Sequence, residues 1–369
     1  MRPVPAIRNL LIALNTGQDL ARESICKLAR SPEEWWASSK PLRTLGTRLE
    51  VPTADLVTAR RLARSSQDLA HHELSRAKRL DASIVTIAES TYPTCLRQLD
   101  LPPPVLYCRG EIPEAPAVAI VGSRQATRRG LDIAELFGRD LASCGLTVVS
   151  GYARGIDLAA HRGAMSAPGG FTVAVLGCGL DIDYPKGRNR LTSDIASRGA
   201  LVTEFPFGAA PLAWNFPIRN RIIAALTLGT LVVQGTPRSG SLITARLALD
   251  LGRDVYAVPG SIFDQRSAGP NTLIRDGALL VQHPRDIVES LPVAVQQSLV
   301  SPLSRDPSAA PEGVQGEILR QLPVGELVTA DSVAATTGEP LDFVLAQLLE
   351  LELAGHIKRC PGSLFCRKP

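Results

Sequence analysis

The chain has 369 residues, 45% of them apolar and 21% charged, with 40 Lys and Arg against 36 Asp and Glu. This composition excludes global disorder, a fibrous repeat and a histone-like polycation, and the length predicts two or three domains at roughly 100–200 residues each. A net charge of only +4 means that any nucleic-acid partner must be met by locally concentrated basic residues.

Residues 1–82 place apolar and charged side chains at helical spacing, with breaks at Pro32, Pro41 and Pro52, and predict a small helical module of net charge +5. Residues 83–290 are different. Short β-branched runs recur at 118–121, 146–150, 172–176, 230–234 and 254–258, separated by amphipathic stretches. Strands alternating with helices predict a doubly wound parallel sheet covered on both faces, with a net charge of +2 over the block. A Pro/Ser/Ala-rich stretch at 291–311 reads as a linker. The last block, 312–369, predicts helices at 314–322 and 341–353 and then a hairpin at 356–366 turning at Pro361-Gly362. Helices followed by a two-stranded ribbon suggest a winged-helix-like module. Its charge of −3 argues for a protein-interaction or regulatory role rather than direct duplex binding.

Seven cysteines with no C-x-x-C pair predict neither a zinc site nor a disulfide framework, and a reducing, cytoplasmic setting follows. The apolar run Leu10–Leu14 is too short for a signal peptide, and no run of 18 apolar residues predicts a membrane span.

In a doubly wound sheet the ligand crevice lies outside the carboxyl ends of the strands, so the segments after each strand carry the chemistry. They read Gly122-Ser123-Arg124, Gly151-Tyr152-Ala153-Arg154-Gly155, and Gly177-Cys178-Gly179 leading to Tyr184-Pro185-Lys186 with Arg188 and Arg190. The last is Gly235-Thr236-Pro237-Arg238-Ser239-Gly240-Ser241, and Phe216-Pro217-Ile218-Arg219-Asn220-Arg221 opens a further helix. Glycines permit close backbone approach, helix N-termini present free N–H groups, and cationic side chains surround them. One such loop is as readily a tight turn as a phosphate site; four at one sheet edge, each with Arg or Lys, point to anion binding. The third glycine of a dinucleotide fingerprint is missing after Gly177-x-Gly179, and no Gly-Lys-Ser/Thr is present, so no nicotinamide cofactor and no ATP hydrolysis are expected.

Asp157 and His161 are four apart on one helix face and are open to two readings. They are an acid–base pair, or Asp157 favours the helix N-terminus while His161 hydrogen-bonds it; the absence of a nucleophile favours the second. Glu204 reads equally as an active-site base or as structural. Tyr152, Tyr184, Trp214 and Phe216 fall in or near the basic loops, where aromatics would stack bases; Trp214 and Phe216 are expected to pack in the core instead.

Together these motifs resemble one family. Tyr92-Pro93-x-x-Leu96, Pro103-Pro104-Val-Leu-Tyr107-x-Arg109-Gly110, Ile120-Val-Gly122-Ser123-Arg124 and Ser150-Gly-x-Ala-x-Gly155-Ile-Asp157 with Ala160-His161 are similar to the DprA/Smf DNA-processing proteins. So are Phe216-Pro-x-Arg219-Asn220-Arg221-Ile222-Ile223, Ser239-Gly240-Ser241-Leu-Ile-Thr244-Ala and Val258-Pro259-Gly260. The resemblance covers residues 90–282, with flanking modules that match in general character: a helical, SAM-like N-terminus and a winged-helix-like C-terminus. It implies an extended Rossmann-like fold that binds single-stranded DNA, loads the RecA recombinase in natural transformation, and dimerises through the Rossmann-like domain. It places the family's DNA-contacting arginine on Arg124 and a further basic contact on Lys186. Tyr152, where a small apolar residue is common, and Arg188, where Asn or His is common, depart from the pattern.

The expected site is therefore Gly122, Ser123, Arg124, Gly151, Arg154, Gly155, Lys186, Arg219, Asn220, Arg221, Ser239, Gly240 and Ser241, with no catalytic residue, metal or cofactor. The rival is a nucleotide phosphoribohydrolase-like enzyme of related fold. It would need a Pro-Gly-Gly-x-Gly-Thr loop where this chain has Thr236-Pro-Arg-Ser-Gly-Ser241.

Overall fold

The computed structural model describes residues 4–17, 19–36, 38, 40–187, 189–299, 314–323, 327–353, 356–360, 362 and 364–367. Arg188, Pro361 and most of the expected linker lie outside the described residues. Two compact units emerge, Met1–Val300 and Ser301–Pro369.

The first unit opens with six helices: α1 (Val4–Asn15), α2 (Arg22–Arg30), α3 (Pro32–Trp36), α4 (Leu42–Leu49), α5 (Thr53–Arg64) and α6 (Ser66–Arg79). Pro32 starts α3, and Pro41 and Pro52 directly precede α4 and α5, so the prolines that break the pattern also set helix starts. Leu10, Leu14, Ile25, Leu28, Trp35, Leu45 and Leu56 close one core within this bundle. The opposite faces of α1 and α6 do not end at residue 82. Leu11, Ile12, Ala70 and Ala77 share a second core with Ile84, Val105, Tyr107 and Phe207. Helical module and sheet are thus packed as one body across the expected boundary.

Nine strands form one sheet: β1 (Ala82–Thr86), β2 (Val105–Gly110), β3 (Ala117–Val121), β4 (Thr147–Ser150), β5 (Thr172–Val175), β6 (Gly199–Thr203), β7 (Gly229–Val232), β8 (Asp254–Ala257) and β9 (Leu279–Leu280). Their order is β1-β2-β6-β5-β4-β3-β7-β8-β9. β3 to β9 run parallel, while β2 pairs antiparallel with β6 and β1 antiparallel with β2. The connecting helices are α7 (Thr94–Arg97), α8 (Arg128–Ser143), α9 (Ile156–Ser166), α10 (Asn189–Ser197), α11 (Asn215–Ala225), α12 (Gly240–Asp250), α13 (Ala268–Arg275) and α14 (Pro284–Ser290). All five residues of β3 are buried, and they alternate between two cores. Ala117, Ala119 and Val121 face the core that includes Ile222, Ile223, Leu242 and Ala245 of α11 and α12; Val118 and Ile120 face Ala134, Phe137 and Ala160 of α8 and α9. Covering both faces this way stabilises the sheet by roughly 1.5–3 kcal/mol for each large apolar side chain removed from water. A further helix, α15 (Val293–Ser298), occupies the start of the stretch expected as linker.

The second unit contains α16 (Val314–Gln321), β10 (Val328–Thr329), α17 (Ala330–Thr337), α18 (Leu341–Leu353), β11 (Ile357–Cys360) and β12 (Leu364–Arg367). Its three strands pair antiparallel in the order β10-β12-β11. Ile318, Leu319, Val333, Val344, Leu348, Ile357 and Phe365 fill one core between the helices and this ribbon, the packing of a winged helix.

Among the described residues no helix is long and apolar enough to cross a membrane, and no group of three His, Cys, Asp or Glu side chains is placed to hold a metal ion.

Candidate nucleic-acid interface

The chain leaves β3 toward β4 on one side, and β7 toward β8 on the other, while β3 and β7 are themselves neighbours. The strand order reverses at this pair, the position where doubly wound sheets open a ligand crevice. A cavity of about 450 Å³ lies there. Gly122, Ser123 and Arg124 line it from the end of β3, and Thr236, Ser239, Gly240 and Ser241 from the end of β7. Phe216, Arg219 and Asn220 of α11 form a further wall, with Ala153 and Asp157 beside them. Of the expected loops, 122–124 and 239–241 therefore meet at one cavity. The loop 151–155 contributes only Ala153, and Gly151, Arg154, Gly155 and Lys186 are not in the lining.

Backbone bonds hold these loops in register. Ser123 N–H donates to the Gln234 carbonyl (2.7 Å), and Ile156 N–H to the Ser123 carbonyl (3.2 Å). Gly155 has φ of +87°, and a Cβ there would stand 2.2 Å from the Ser123 oxygen, so only glycine lets the two loops touch. The Gln234 side chain, which the sequence reading passed over, accepts from Thr127 N–H (3.0 Å) and donates to Thr127 Oγ1 (2.9 Å). It thereby ties the end of β7 to the N-cap of α8. At α12, Ser239 Oγ caps the helix by accepting from Ser241 N–H (3.4 Å) and lies 2.9 Å from Ser241 Oγ. A Cβ at Gly240 would meet nothing within 4 Å, so the start of this eleven-residue helix is open to an approaching anion.

Arg124 is exposed, and its guanidinium carbon lies 4.9 Å from the centre of the Phe216 ring. Tyr184 is tilted against the same ring at 5.5 Å. Phe216 is fixed from below, where a Cβ on Gly177 would come within 2.8 Å of the ring, and neighbouring Asn215 Nδ2 donates to the Gly177 carbonyl (3.1 Å). The expectation that Trp214 and Phe216 are core residues is corrected. Trp214 is 64% exposed, and Phe216 is half-buried on the cavity wall. Tyr152 reverses the other way. It is buried among Leu158, Cys178 and Ile195, its hydroxyl is 2.9 Å from Thr192 Oγ1, and it offers no ring to a base.

Arg219 is only 3% exposed. Its Nη1 donates to the carbonyls of Gly151 (2.6 Å) and Val175, and Nε donates to Asn220 Oδ1 (3.1 Å). Asn220 Nδ2 in turn donates to the Gly240 carbonyl (3.3 Å). These bonds join β4, β5 and α12, so Arg219 lines the cavity as expected while its Nε and Nη1 are held in the scaffold beneath it. Gly151 belongs to the same arrangement: a Cβ there would collide with Arg219 Nη2 (2.5 Å) and Asp157 Oδ2 (2.7 Å). Burial lowers the Arg219 pKa to about 10, with Asp157 opposing and Arg124 adding to the shift, so it remains charged at neutral pH. Burial pushes Asp157 up to about 6, although the Arg219 charge and the Ala153 N–H (3.2 Å) pull it down.

His161 does not bond Asp157. Its Nδ1 is 2.7 Å from Thr172 Oγ1, and burial lowers its pKa to about 3. The expected Asp157–His161 hydrogen bond is replaced by separate partners. Arg221 leaves the expected group. It forks onto Glu204, with Nη2 to Oε2 at 2.9 Å and Nη1 to Oε1, and its Nε donates to the Leu101 carbonyl (3.0 Å). Glu204 is fully buried in this pair, so its role is structural, and a base reading lacks a reachable carboxylate. Arg154, Lys186 and Arg190 are exposed outside the cavity lining.

Residues 83–292 match the family model of DNA recombination-mediator protein A, and residues 302–363 match the DprA winged helix domain. The chain is 44% identical over 272 residues to protein Smf of Escherichia coli, covering 71% of each chain. It is 34% identical over 281 residues to DNA processing protein DprA of Bacillus subtilis, covering 73% of this chain and 94% of that one. The X-ray structure of DNA processing protein A from Streptococcus pneumoniae superposes with a TM-score of 0.66 at 33% identity, over 77% of this chain and 98% of that one. A Helicobacter pylori DprA structure, described for its single-stranded DNA binding mode, superposes with a TM-score of 0.51 at 28% identity, over 57% of this chain and 95% of that one. Sheet order, switch-point cavity, winged helix and these matches agree, and the chain belongs to the DprA/Smf family of DNA-processing proteins.

Proposed function

We propose that this chain binds single-stranded DNA at the β3/β7 cavity and, as a cytoplasmic homodimer, delivers that strand to the RecA recombinase without catalysing a reaction of its own. The observation that carries the binding role is the exposed Arg124 guanidinium stacked on Phe216 at the wall of the cavity, beside the open start of α12. A cation for phosphate, an aromatic face for a base and an unobstructed helix start suit a sequence-tolerant single-strand site. The Helicobacter pylori relative is described as binding single-stranded DNA, and the family model is that of a recombination mediator. Both support extending the reading to strand delivery.

The hydrolase reading is the less favoured one, because its two carboxylates are engaged within the protein. Glu204 is sealed against Arg221, and the Asp157 carboxylate lies between the Ala153 N–H and Arg219. Fluorescent oligonucleotides competed with mononucleotides, duplexes and single strands test the binding role. Competition by single strands alone supports it, and displacement by a mononucleotide at low concentration would overturn it. RecA assembly on coated single strands, with and without this protein, tests delivery; sedimentation tests the dimer.

A further inference from the structure

The loop after β8 ends in two large apolar side chains in water: Ile262 is 86% exposed and Phe263 93%. The loop is built rather than slack. Phe263 N–H donates to Ser261 Oγ (3.2 Å), Asp264 N–H to the Ser261 carbonyl (3.1 Å) and Arg266 N–H to Asp264 Oδ1 (2.9 Å). Asn271 clamps its start, accepting from Gly260 N–H (3.1 Å) and donating to the Gly260 carbonyl (2.9 Å). Its far end is fastened to the cavity wall. Arg266 Nε donates to the carbonyl of Gln125, a lining residue, and Gly235 N–H donates to the Arg266 carbonyl.

An apolar tip on a loop anchored to the cavity wall through Arg266 is poised to receive something flat and apolar. Its surroundings select which. Arg124 is exposed in the lining, Arg238 is exposed in the loop that carries Thr236 and Ser239, and Arg266 is exposed and bonded to lining residue Gln125; the acid in the loop, Asp264, is already paired with Arg266. A cationic rim with an aromatic tip fits a polyanion with apolar faces. We propose that Phe263, supported by Ile262, is a second base-stacking element that engages the strand after it leaves the cavity; this rests on the reading that the cavity holds single-stranded DNA.

The sheet sets the distance. Phe216 sits over Gly177 at the end of β5, whereas Phe263 follows β8, and the order β5-β4-β3-β7-β8 separates them by four strand spacings. At ~4.8 Å per spacing that is roughly 19 Å, or about six nucleotides at the ~3.4 Å rise of stacked bases. A short oligonucleotide held at Phe216 is expected to fall short of Phe263, and a longer one to reach it.

The test is fluorescence anisotropy of single strands of about 4 and about 12 nucleotides on the full chain, with Phe263→Ala, Phe263→Trp and Arg124→Ala. Phe263→Ala weakens the longer strand about tenfold and leaves the shorter within about twofold. Phe263→Trp restores the longer strand, and a 2-aminopurine near one end of it loses its stacking quench only in Phe263→Ala. Arg124→Ala weakens both lengths. Unchanged binding of both lengths to Phe263→Ala, with Arg124→Ala impaired, overturns the tip and leaves the cavity reading standing. Unchanged binding to Arg124→Ala as well removes the cavity reading, and the tip falls with it. A change in sedimentation with no change in DNA binding makes the tip a contact for a second copy and also overturns the proposal.

Discussion

Arg124 and Arg219 lie 4.9 Å and 5.8 Å from the centre of the same Phe216 ring, yet only Arg124 has its guanidinium in water. One arginine is available to a ligand, and the other is consumed by backbone carbonyls. This division decides which substitutions alter binding and which alter the fold.

Arg124→Ala and Phe216→Ala are expected to be non-additive. The cation orders against the ring, so removing either partner loses part of the same contact. A double-mutant cycle on single-strand affinity should return a coupling of about 0.5–1 kcal/mol. Zero coupling would mean that the two groups act on the strand independently.

Arg219→Met should behave as a stability mutant. It strips bonds from the Gly151 and Val175 carbonyls and leaves Asp157 buried without its nearby cation. Breaking a buried charge constellation of this kind typically costs about 3–5 kcal/mol, whereas exposed Arg124→Ala should stay within about 0.5 kcal/mol of the parent. Urea unfolding of the two variants compares them directly.

Asp157 and His161 should give opposing acid responses. The folded-state pKa of Asp157, about 6, lies above its ordinary value, so its contribution to stability is fully present below about pH 4 and is lost as pH rises through 6. The folded-state pKa of His161, about 3, lies below its ordinary value, so its contribution is present above about pH 6.5 and is lost as pH falls toward 3. Between pH 4 and 6 the two slopes partly cancel. Asp157→Asn removes the compensating one, and its urea midpoint should fall more steeply on acidification than that of the parent. Parallel midpoints from pH 7 to 4 would contradict this balance.

Glu204→Gln should lower stability by about 3–5 kcal/mol, because it leaves the Arg221 guanidinium buried without its counter-charge. The folded fraction should bind single strands as the parent does, since neither residue lines the cavity. Loss of binding at unchanged stability would return Glu204 to the functional site.

Much of this was legible in the residues. The β-branched runs all became sheet strands, and the loops after β3 and β7 met where alternating strands and helices require a crevice. What failed was the reading of neighbours as equivalents. Arg219 and Arg221 are two apart on α11, about 200° around a helix, so they point to opposite sides: one toward β4 and β5, the other toward Glu204. That geometry was available from spacing alone. The pairing of Arg221 with Glu204 was not, because it depends on where β6 lies beside α11. Nor was the fate of the aromatics, since Tyr152 and Trp214 both flank polar loops and only packing buries one and exposes the other. Gln234 carried no motif, and its role appears only when the ends of β7 and α8 meet.

Exposed Arg124 at the switch-point cavity is the group proposed to meet the phosphates of a single strand. The most direct test is the anisotropy of a labelled single-stranded oligonucleotide across a salt series, comparing the parent with Arg124→Ala. Steep salt dependence is expected in the parent, and in the variant weaker binding with a log–log slope shallower by about 0.7, the share of one single-strand phosphate contact. Identical affinity and identical slope in the two proteins would contradict this role of Arg124.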